Sequence, residues 1–407
     1  MKRSGLWTRN FTLLTTATVL GCAGGVVSSF ALSFLVFEET GSTLAAAFLM
    51  AMQLVPRFLI PLIAAPIMDR FPRKPFVVAG DAINGILYGL AGVYLLHSEF
   101  SYTLYLAFSL LLSTLGAFDE LAYGALYPNL IPEGCEQKGY AVSGTLYPVV
   151  NVLMAPVAAL LYQQVGVGVI LLLQAALSLA ASAVESFIRM EETNRMDGEK
   201  FSFSMWKNDL LDAMRYLKGD HGLRAIYSYM AVTNGLSMYS PLLVAFFSTA
   251  PGFTAVMYSA FSVAEFAGRT LGGVFHYRRE IPRTKRFSFA FVVYLCYNLM
   301  DMILLWIPYV GMLINRAAVG FLGVNSAALR EAAVQKYIPD EHRAKLNGFF
   351  SMLLSLACSV CSLLIGAMGE VLDYRLCITL CGLTGGIACM LTIWRRRDEV
   401  KAIYQQE

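Results

Sequence analysis

The chain has 407 residues, of which 57% are hydrophobic and only 14% are charged, and its mean hydropathy is +0.58. A soluble chain carries about a quarter charged residues, so this composition indicates a protein that crosses a membrane several times. The net charge is only +3 and the bases lie in short loops, which argues against a nucleic-acid-binding surface. Seven of the eight cysteines fall in apolar segments, where we interpret them as small packing residues.

Twelve apolar runs are long enough to cross a hydrocarbon core of about 30 Å at about 1.5 Å per residue. They fall near 10–37, 43–68, 75–97, 101–128, 139–163, 167–188, 223–248, 252–277, 286–307, 309–337, 346–369 and 374–394. The first is too long for a cleaved signal peptide and is interpreted as an uncleaved membrane helix. Backbone groups in lipid must be hydrogen-bonded within their own segment, so the sequence predicts an all-α polytopic membrane protein.

The Lys and Arg residues are distributed very unevenly among the loops. Of 31 such residues, 27 fall in alternate connections that begin with the N-terminus, whereas only Arg375 falls in the opposite set. In membrane proteins this excess marks the cytoplasmic loops. The pattern therefore predicts a multi-pass protein of the plasma (inner) membrane with both termini in the cytoplasm.

The longest connection divides the twelve predicted helices six and six. We expect a bundle over 1–188, a cytoplasmic linker over 189–222 and a second bundle with a short cytoplasmic tail over 223–407. One face of the linker is apolar and predicts an amphipathic helix at the membrane surface. This face carries Trp206, Leu210, Ala213, Met214 and Leu217.

The two halves also repeat with an offset of 207 residues. This offset aligns Ile131-Pro132-Glu133 with Ile338-Pro339-Asp340, Met68-Asp69-Arg70 with Phe275-His276-Tyr277, and Arg189 with Arg396. A duplicated six-helix unit predicts such matches, and we expect a pseudo-two-fold axis along the membrane normal. In transporters of this architecture the substrate site lies between the halves near mid-membrane.

The loop after the second run reads Asp69-Arg70-Phe71-Pro72-Arg73-Lys74. It resembles the loop two-to-three signature of the major facilitator superfamily, Gly-x-x-x-Asp-Arg-x-Gly-Arg-Arg/Lys. Asp81 is a companion residue in the macrolide-efflux-like and siderophore-exporter-like branches, and Ala125-Leu126-Tyr127-Pro128-Asn129 adds support. The chain departs from the family pattern where Ala65 and Pro72 replace glycines.

The resemblance implies a cytoplasmic gate motif formed by Asp69, Arg70, Arg73, Lys74 and Asp81. Asp69 would lock against the start of helix 11, around Leu346–Phe349, where the electropositive helix N-terminus favours an acid.

Charged residues within the predicted spans are the next candidates, since each is costly at mid-bilayer unless it is paired or hydrated. Asp301 and Arg316 lie on either side of Pro308, each ~10–12 Å below the outer surface at helical rise. Their helices are consecutive and antiparallel, which predicts an ion pair. Two interpretations of this pair are open: it is a structural clamp between the helices, or it gates transport or contacts substrate. Glu265 and Arg269 are i,i+4 neighbours and are expected to neutralise each other.

Arg57 has no local partner, and we expect it to bridge helices 2 and 4 by pairing with Asp119 or Glu120. One of these adjacent carboxylates would remain unpaired at depth, where it is suited to taking up and releasing a proton. The resemblance offers an alternative, in which one acid meets Arg73. Glu185 is expected to reach solvent or Arg189 near the end of helix 6.

The substrate cavity is the hardest feature to predict. Tyr123, Asn234, Tyr239 and Asn325 fall at cavity depth on helices 4, 7 and 10, so we consider them possible substrate contacts. The sequence shows no ATP-binding motif, metal-ligand spacing or catalytic constellation, so neither an enzyme nor a bound cofactor or metal is expected.

These features predict a secondary active transporter that works by alternating access. We expect a monomer in the bilayer that exports an amphipathic small molecule, such as a drug, a macrolide-like compound or a siderophore-like metabolite, by proton antiport, as in multidrug resistance. Uptake of a nutrient or metabolite is the alternative within this class. A transport-inactive membrane receptor or scaffold is the alternative from another class, although intramembrane charges such as Arg57 argue against it.

Overall fold

The computed structural model describes residues 6–68, 72–132, 135–189, 203–278 and 281–405, and regular secondary structure in these ranges is helical. The chain divides into two compact units. The first unit comprises Met1–Gly41 and Met52–Lys200, and the second comprises Ser42–Ala51 and Phe201–Glu407. The boundary between the two units lies in the long connection.

The first unit is built from helices α1 to α5. Their bounds are α1 Arg9–Thr40, α2 Thr43–Met68, α3 Lys74–His97, α4 Tyr102–Leu130 and α5 Glu136–Ser186. The chain leaves α1 through Gly41, whose φ of 64° is the left-handed conformation that glycine adopts most readily. Gly166 has a φ of 75° and bends α5, so this helix supplies two membrane spans. Both α1 and α3 pack along α5.

The second unit is built from helices α6 to α14 and the first turns of α2. The bounds are α6 Phe203–Gly219, α7 His221–Leu236, α8 Ser240–Thr249, α9 Ala255–Arg278, α10 Arg283–Ile303, α11 Tyr309–Tyr337, α12 Asp340–Val371, α13 Tyr374–Cys389 and α14 Arg397–Tyr404. The main helix pairs are α9 with α11, α10 with α13 and α7 with α12.

The predicted all-α polytopic architecture is confirmed. Nine helical segments among the described residues are long and apolar enough to cross a membrane. One of them, Thr145–Ser186, contains the bend at Gly166 and therefore counts twice. With α2 and α9, which are 26 and 24 residues long, the described part of the chain accommodates the twelve predicted spans.

The span predicted over 223–248 is a broken helix rather than a continuous one. Helix α7 ends at Leu236 and α8 begins at Ser240. Pro241 lies in the first turn of α8, where its missing N–H costs nothing, but in a continuous helix its ring would clash with the carbonyl of Ser237. The break places Tyr239 between the two helices with its side chain buried.

The helix predicted in the linker is present as α6, and it packs against protein. Ala213 and Leu217 are buried in a core cluster with residues of α7, whereas Met214 is exposed. Contacts with α7 and α12 hold this helix to the second unit. Part of the apolar face predicted from the sequence is thus buried against other helices of the second unit.

The C-terminal segment, expected to be a tail, folds back as helix α14. Val400, Ile403 and Tyr404 are buried, and the hydroxyls of Tyr404 and Tyr294 are 2.7 Å apart. Burial raises the pKa of the Tyr404 hydroxyl well above its ordinary value, so this hydrogen bond persists over the ordinary pH range. Three apolar side chains within five residues are the signal of this helix in the sequence.

Helices α9 and α11 approach each other closely because glycines line their contact. A Cβ atom on Gly268 would collide with the Ala317 carbonyl oxygen, and one on Gly320 would collide with the carbonyl oxygen of Glu265. Small residues at such positions allow backbones to pack at short range. This packing fixes the position of the helix turn that carries Glu265 and Arg269.

The start of α2 belongs to the second unit because α12 caps it. The Glu370 carboxylate accepts hydrogen bonds from Ser42 Oγ at 2.7 Å, from the Leu44 backbone N–H at 2.8 Å and from Thr43 Oγ1 at 3.2 Å. An acid at a helix N-terminus satisfies free N–H groups and complements the helix dipole.

Candidate functional site

Three carboxylates come together inside the first unit, one each from α3, α4 and α5. Asp81, Asp119 and Glu185 lie close enough to interact electrostatically, and we call them the acidic cluster. Asp119 faces α3, since a Cβ atom on Gly80 would lie 3.3 Å from Asp119 Oδ1. The end of α5 is tied to α3 by a hydrogen bond of 2.7 Å from Ser182 Oγ to the Val78 carbonyl.

Glu185 is buried, Asp81 and Asp119 are half-buried, and the described residues supply no basic partner. Glu185 is 3% exposed, and its Oε2 atom and Asp119 Oδ1 are buried without a hydrogen-bond donor. Within the described ranges, no Lys, Arg or His forms an ion pair with any of the three acids. An unpaired carboxylate in such surroundings is costly in its charged form.

The interpretation of Glu185 as a solvent-facing residue is wrong. Its side chain lies in the interior, and the backbone of Arg189 instead pairs with Asn10 on α1, whose Nδ2 donates to the Arg189 carbonyl at 2.6 Å. Lys74 donates to the carbonyl oxygens of Ser186 and Ile188 at 2.8 and 2.6 Å. The sequence does carry a signal, since Glu185 is the penultimate residue of an apolar helix.

The predicted bridge between Arg57 and the acids of α4 is not formed. Gln53 Nε2 donates to Ser109 Oγ at 2.6 Å and sets the register of α2 against α4, but the Arg57 side chain one turn later is exposed. Asp119 turns away toward α3, and Glu120 is exposed. In the described part of the chain neither acid pairs with Arg57 or with Arg73. Asp119 is therefore the more buried member of the adjacent pair, being half-buried with its Oδ1 atom shielded.

The predicted gate motif is described only in part. Asp69 and Arg70 lie outside the described residues. Arg73 immediately precedes α3 and is half-buried, and Lys74 begins the helix. Asp81, expected to belong to this motif, lies in the acidic cluster two turns further along α3.

Tyr123, a predicted substrate contact on α4, lies beside the acidic cluster. Its hydroxyl accepts a hydrogen bond of 3.3 Å from Thr18 on α1, and its ring stacks on Tyr127 at 5.4 Å between centroids. It also lies close enough to Glu185 to interact electrostatically. Tyr123 therefore lies next to the acids and not on the wall of the cavity of the second unit, described below.

The second unit contains the predicted pair of Asp301 and Arg316. Arg316 Nη2 donates to Asp301 Oδ1 at 2.9 Å, and the two side chains are 8% and 18% exposed. The Tyr239 hydroxyl donates to the same Asp301 oxygen at 2.7 Å and accepts from Arg316 Nη1 at 3.1 Å. Tyr239 reaches both charges because the chain is broken between α7 and α8.

The second predicted pair, Glu265 with Arg269, is also present. Arg269 Nη2 lies 2.7 Å from Glu265 Oε1, and the side chains are 57% and 32% exposed. The pair lies along one face of α9, in the i,i+4 arrangement that stabilises helices.

A cavity of about 570 Å³ opens between the helices of the second unit, and both ion pairs line it. This size is suited to a small molecule. Aromatic rings supply much of the wall, and Asn234 and Tyr239 also line it. Its aromatic lining residues are Tyr229, Tyr239, Tyr258, Phe261, Tyr294 and Tyr297.

The lining of this cavity differs from the sequence-based expectation at two residues, one absent from the wall and one present on it. Asn325 does not line it, because the side chain is fully buried against α9 and donates to the carbonyl oxygens of Phe321 at 2.8 Å and Gly272 at 3.3 Å. Arg330, which the sequence does not single out as a site residue, lies on α11 and lines the cavity. It is 14 residues after Arg316, and this near-integral number of turns places both on one face.

The sequence model of the Major Facilitator Superfamily matches residues 13–328 and 302–407, which together include nearly the whole chain. The chain belongs to the major facilitator superfamily. It is therefore a multi-pass membrane protein and a secondary transporter of small molecules, not an enzyme. No curated protein matches it.

Solved structures of other transporters share the fold of this superfamily member. The nucleoside transporter NupG aligns with a TM-score of 0.70 at 12% identity, over 98% of this chain and 100% of its own. A peptide transporter, POT, in complex with alafosfalin aligns with a TM-score of 0.71 at 9% identity, over 98% and 97%. A bacterial homologue of the human lysosomal transporter Spinster gives 0.64 at 12%, over 97% and 94%. At these identities the similarity shows the fold alone.

Proposed function

We propose that this superfamily transporter couples inward proton movement to export of an amphipathic small molecule across the plasma membrane, with both termini in the cytoplasm. The acidic cluster of the first unit is the observation that carries the proposal. A carboxylate buried without a cation is costly in its charged form. Asp119 and Glu185 can avoid that cost by holding a proton, and they can release it when water or a cation reaches them.

The second unit supports the substrate half of the proposal. Its cavity combines aromatic walls with charged groups at defined positions, which suits a molecule that has an apolar body and a polar end. The ion pairs lining it are internally neutralised, so they do not need a proton for stability. Proton and substrate are thus assigned to different groups of residues.

The direction of transport rests on the resemblance to efflux branches that Asp81 adds to the superfamily loop around Arg73 and Lys74. Uptake driven by the same proton gradient is the alternative. The intramembrane charges argue against a transport-inactive scaffold, which has no need of a buried, unpaired Glu185.

The test is flux in proteoliposomes with an imposed pH gradient, using a panel of fluorescent amphipathic compounds of positive, neutral and negative charge. We expect gradient-driven movement of at least one compound, opposite in direction to the protons. Asp119→Asn and Glu185→Gln should each reduce gradient-driven flux at least about tenfold, as expected when a coupling group is lost. Exchange of substrate across the membrane without a gradient should continue.

Glu120→Gln is the matched control, because Glu120 is adjacent to Asp119 but exposed, and it should retain gradient-driven flux. Movement of substrate in the same direction as protons would show that the protein takes its substrate up and does not export it. Unchanged coupling in both cluster variants, or no flux of any compound, would refute the proposal.

A further inference from the structure

The charges that line the cavity of the second unit do not balance. Among the described residues on its wall are three arginines, Arg269, Arg316 and Arg330, but only two acids, Glu265 and Asp301. Each acid is held by one arginine, at 2.7 Å in the pair on α9 and at 2.9 Å between Asp301 and Arg316. The cavity therefore carries one positive charge in excess, and Arg330 is its source.

Arg330 has a carboxylate neighbour, but this neighbour does not belong to the cavity. Glu331 Oε2 lies 3.9 Å from Arg330 Nη2, which is longer than a charge-assisted hydrogen bond. The Glu331 side chain is 65% exposed and Glu331 does not line the cavity, whereas the Arg330 side chain is 20% exposed. The Tyr294 hydroxyl also lies within hydrogen-bonding reach of Arg330. A guanidinium has five N–H donors, so these two neighbours leave donors for another acceptor.

The position of Arg330 suits an elongated ligand. Arg316 and Arg330 share one face of α11 and are separated by 14 residues, or about 21 Å along the axis. Gly323, midway between them, contacts the Tyr297 hydroxyl and also lines the cavity. Tyr294 and Tyr297 thus lie along the wall that joins a neutralised end at Arg316 to a cationic end at Arg330.

Arg316 supplies an independent indication. Its side chain is more than nine-tenths buried, three hydrogen bonds use its Nη atoms, and its Nε has no partner in the described structure. The neutralised end of the cavity therefore contains a buried donor that no described acceptor satisfies. Both ends favour a ligand that brings acceptors, and neither offers an unpaired carboxylate to a cation.

We propose that the cavity selects a small organic anion with an aromatic or apolar body, and that Arg330 binds its carboxylate. The guanidinium forms a bidentate contact with the carboxylate, the tyrosines contact the apolar body, and the Arg316 end receives a neutral acceptor. This inference deepens the proposed function, since it names the substrate class of the same transporter, and it rests on that proposal for the role of the cavity.

Equilibrium binding to the purified full-length protein in lipid nanodiscs tests the inference without any gradient. The probes are three molecules of one shape: 3-phenylpropionate, 3-phenylpropionamide and 3-phenylpropylamine. We expect the carboxylate to bind at least about tenfold more tightly than the amide, because one charge-assisted contact is worth about that factor, and the amine to bind most weakly.

The variants locate the contact. Arg330→Gln should weaken carboxylate binding about tenfold and leave amide binding unchanged, and Arg330→Lys should restore part of the affinity, because it keeps the charge but loses the planar fork. Arg215→Gln is the matched control, because Arg215 is an exposed arginine on α6 paired with Asp212 at 2.9 Å. It should bind all three probes as the unmodified protein does.

Tighter binding of the amine, equal binding of the three probes, or no binding of the carboxylate would overturn the inference. So would an undiminished carboxylate affinity in a folded Arg330→Gln protein. These outcomes are separable from failure of the proposed function. Proton-driven flux of cations alone would refute the anion assignment and retain proton coupling. Carboxylate binding without proton-driven flux would refute proton coupling and retain the anion assignment.

Discussion

The two units bury their charges in different ways. In the first unit, Asp119 and Glu185 have buried carboxylate oxygens without donors, and no described base pairs with them. In the second unit, Asp301 is held by Arg316 and by the Tyr239 hydroxyl. The same residue type, an aspartate within a membrane span, is thus left unpaired in one unit and neutralised in the other.

This difference matters because a buried charge can be compensated by only a few means. A cation within hydrogen-bonding distance allows the carboxylate to stay ionised, and a bound proton removes the charge. The second unit uses the first means, and the proposed function assigns the second means to the first unit. We therefore expect acid-to-amide substitutions to affect stability in the second unit and coupling in the first.

Breaking the buried ion pair should have the largest effect on stability. Asp301→Asn leaves the Arg316 guanidinium buried without its counter-charge, which should lower the free energy of unfolding by roughly 3 kcal/mol. The isosteric change Asp119→Asn in the acidic cluster leaves no cation behind and should cost less than about 1 kcal/mol. Denaturant titration in detergent, followed by circular dichroism, measures both values.

The double variant Asp301→Asn with Arg316→Gln is the control for this comparison. It removes both charges and should recover most of the lost stability, because no uncompensated charge remains. Equal losses in Asp301→Asn and Asp119→Asn would show that the two units do not differ in the way described. A double variant no more stable than the single would argue against a charge effect.

Removing the tyrosine that bridges the pair should have an intermediate effect. Tyr239→Phe takes away a donor to Asp301 and an acceptor of Arg316, both in a buried site, and should cost about 1–2 kcal/mol in the same titration. Tyr309→Phe is a matched control, since that hydroxyl donates only to the uncharged Met257 carbonyl at 2.9 Å. A smaller loss in Tyr239→Phe than in Tyr309→Phe would contradict the importance of the charges.

The sequence was sufficient for the features that depend on local spacing. The spans follow from hydrophobic length, and the pair Glu265–Arg269 follows from i,i+4 geometry. The pair Asp301–Arg316 was predictable as well. The two residues lie at nearly equal distances on either side of the turn at Pro308 and must therefore lie at similar depths in the membrane.

Features that depend on how helices are rotated were not predictable in this way. Depth alone suggested that Arg57 meets Asp119, but Asp119 is turned toward Gly80 on α3. The acidic cluster combines residues from three helices whose faces no single spacing relates. Arg330 was missed because a base near the end of a span resembles a loop residue until its register with Arg316 is considered.

The exposed ion pair should be the least sensitive of the charged groups. Glu265→Gln removes the partner of Arg269, but both side chains are substantially exposed, at 32% and 57%. Arg269 then remains hydrated, and the expected loss is about 0.3–0.5 kcal/mol in the denaturant titration. Salt at 1 M should reduce this difference, because exposed pairs are screened, while the loss caused by Asp301→Asn should persist. A loss above about 2 kcal/mol for Glu265→Gln would mean that this pair is shielded from water in the folded transporter. Both ion pairs of the second unit would then be buried pairs, in contrast to the unpaired acids of the first unit.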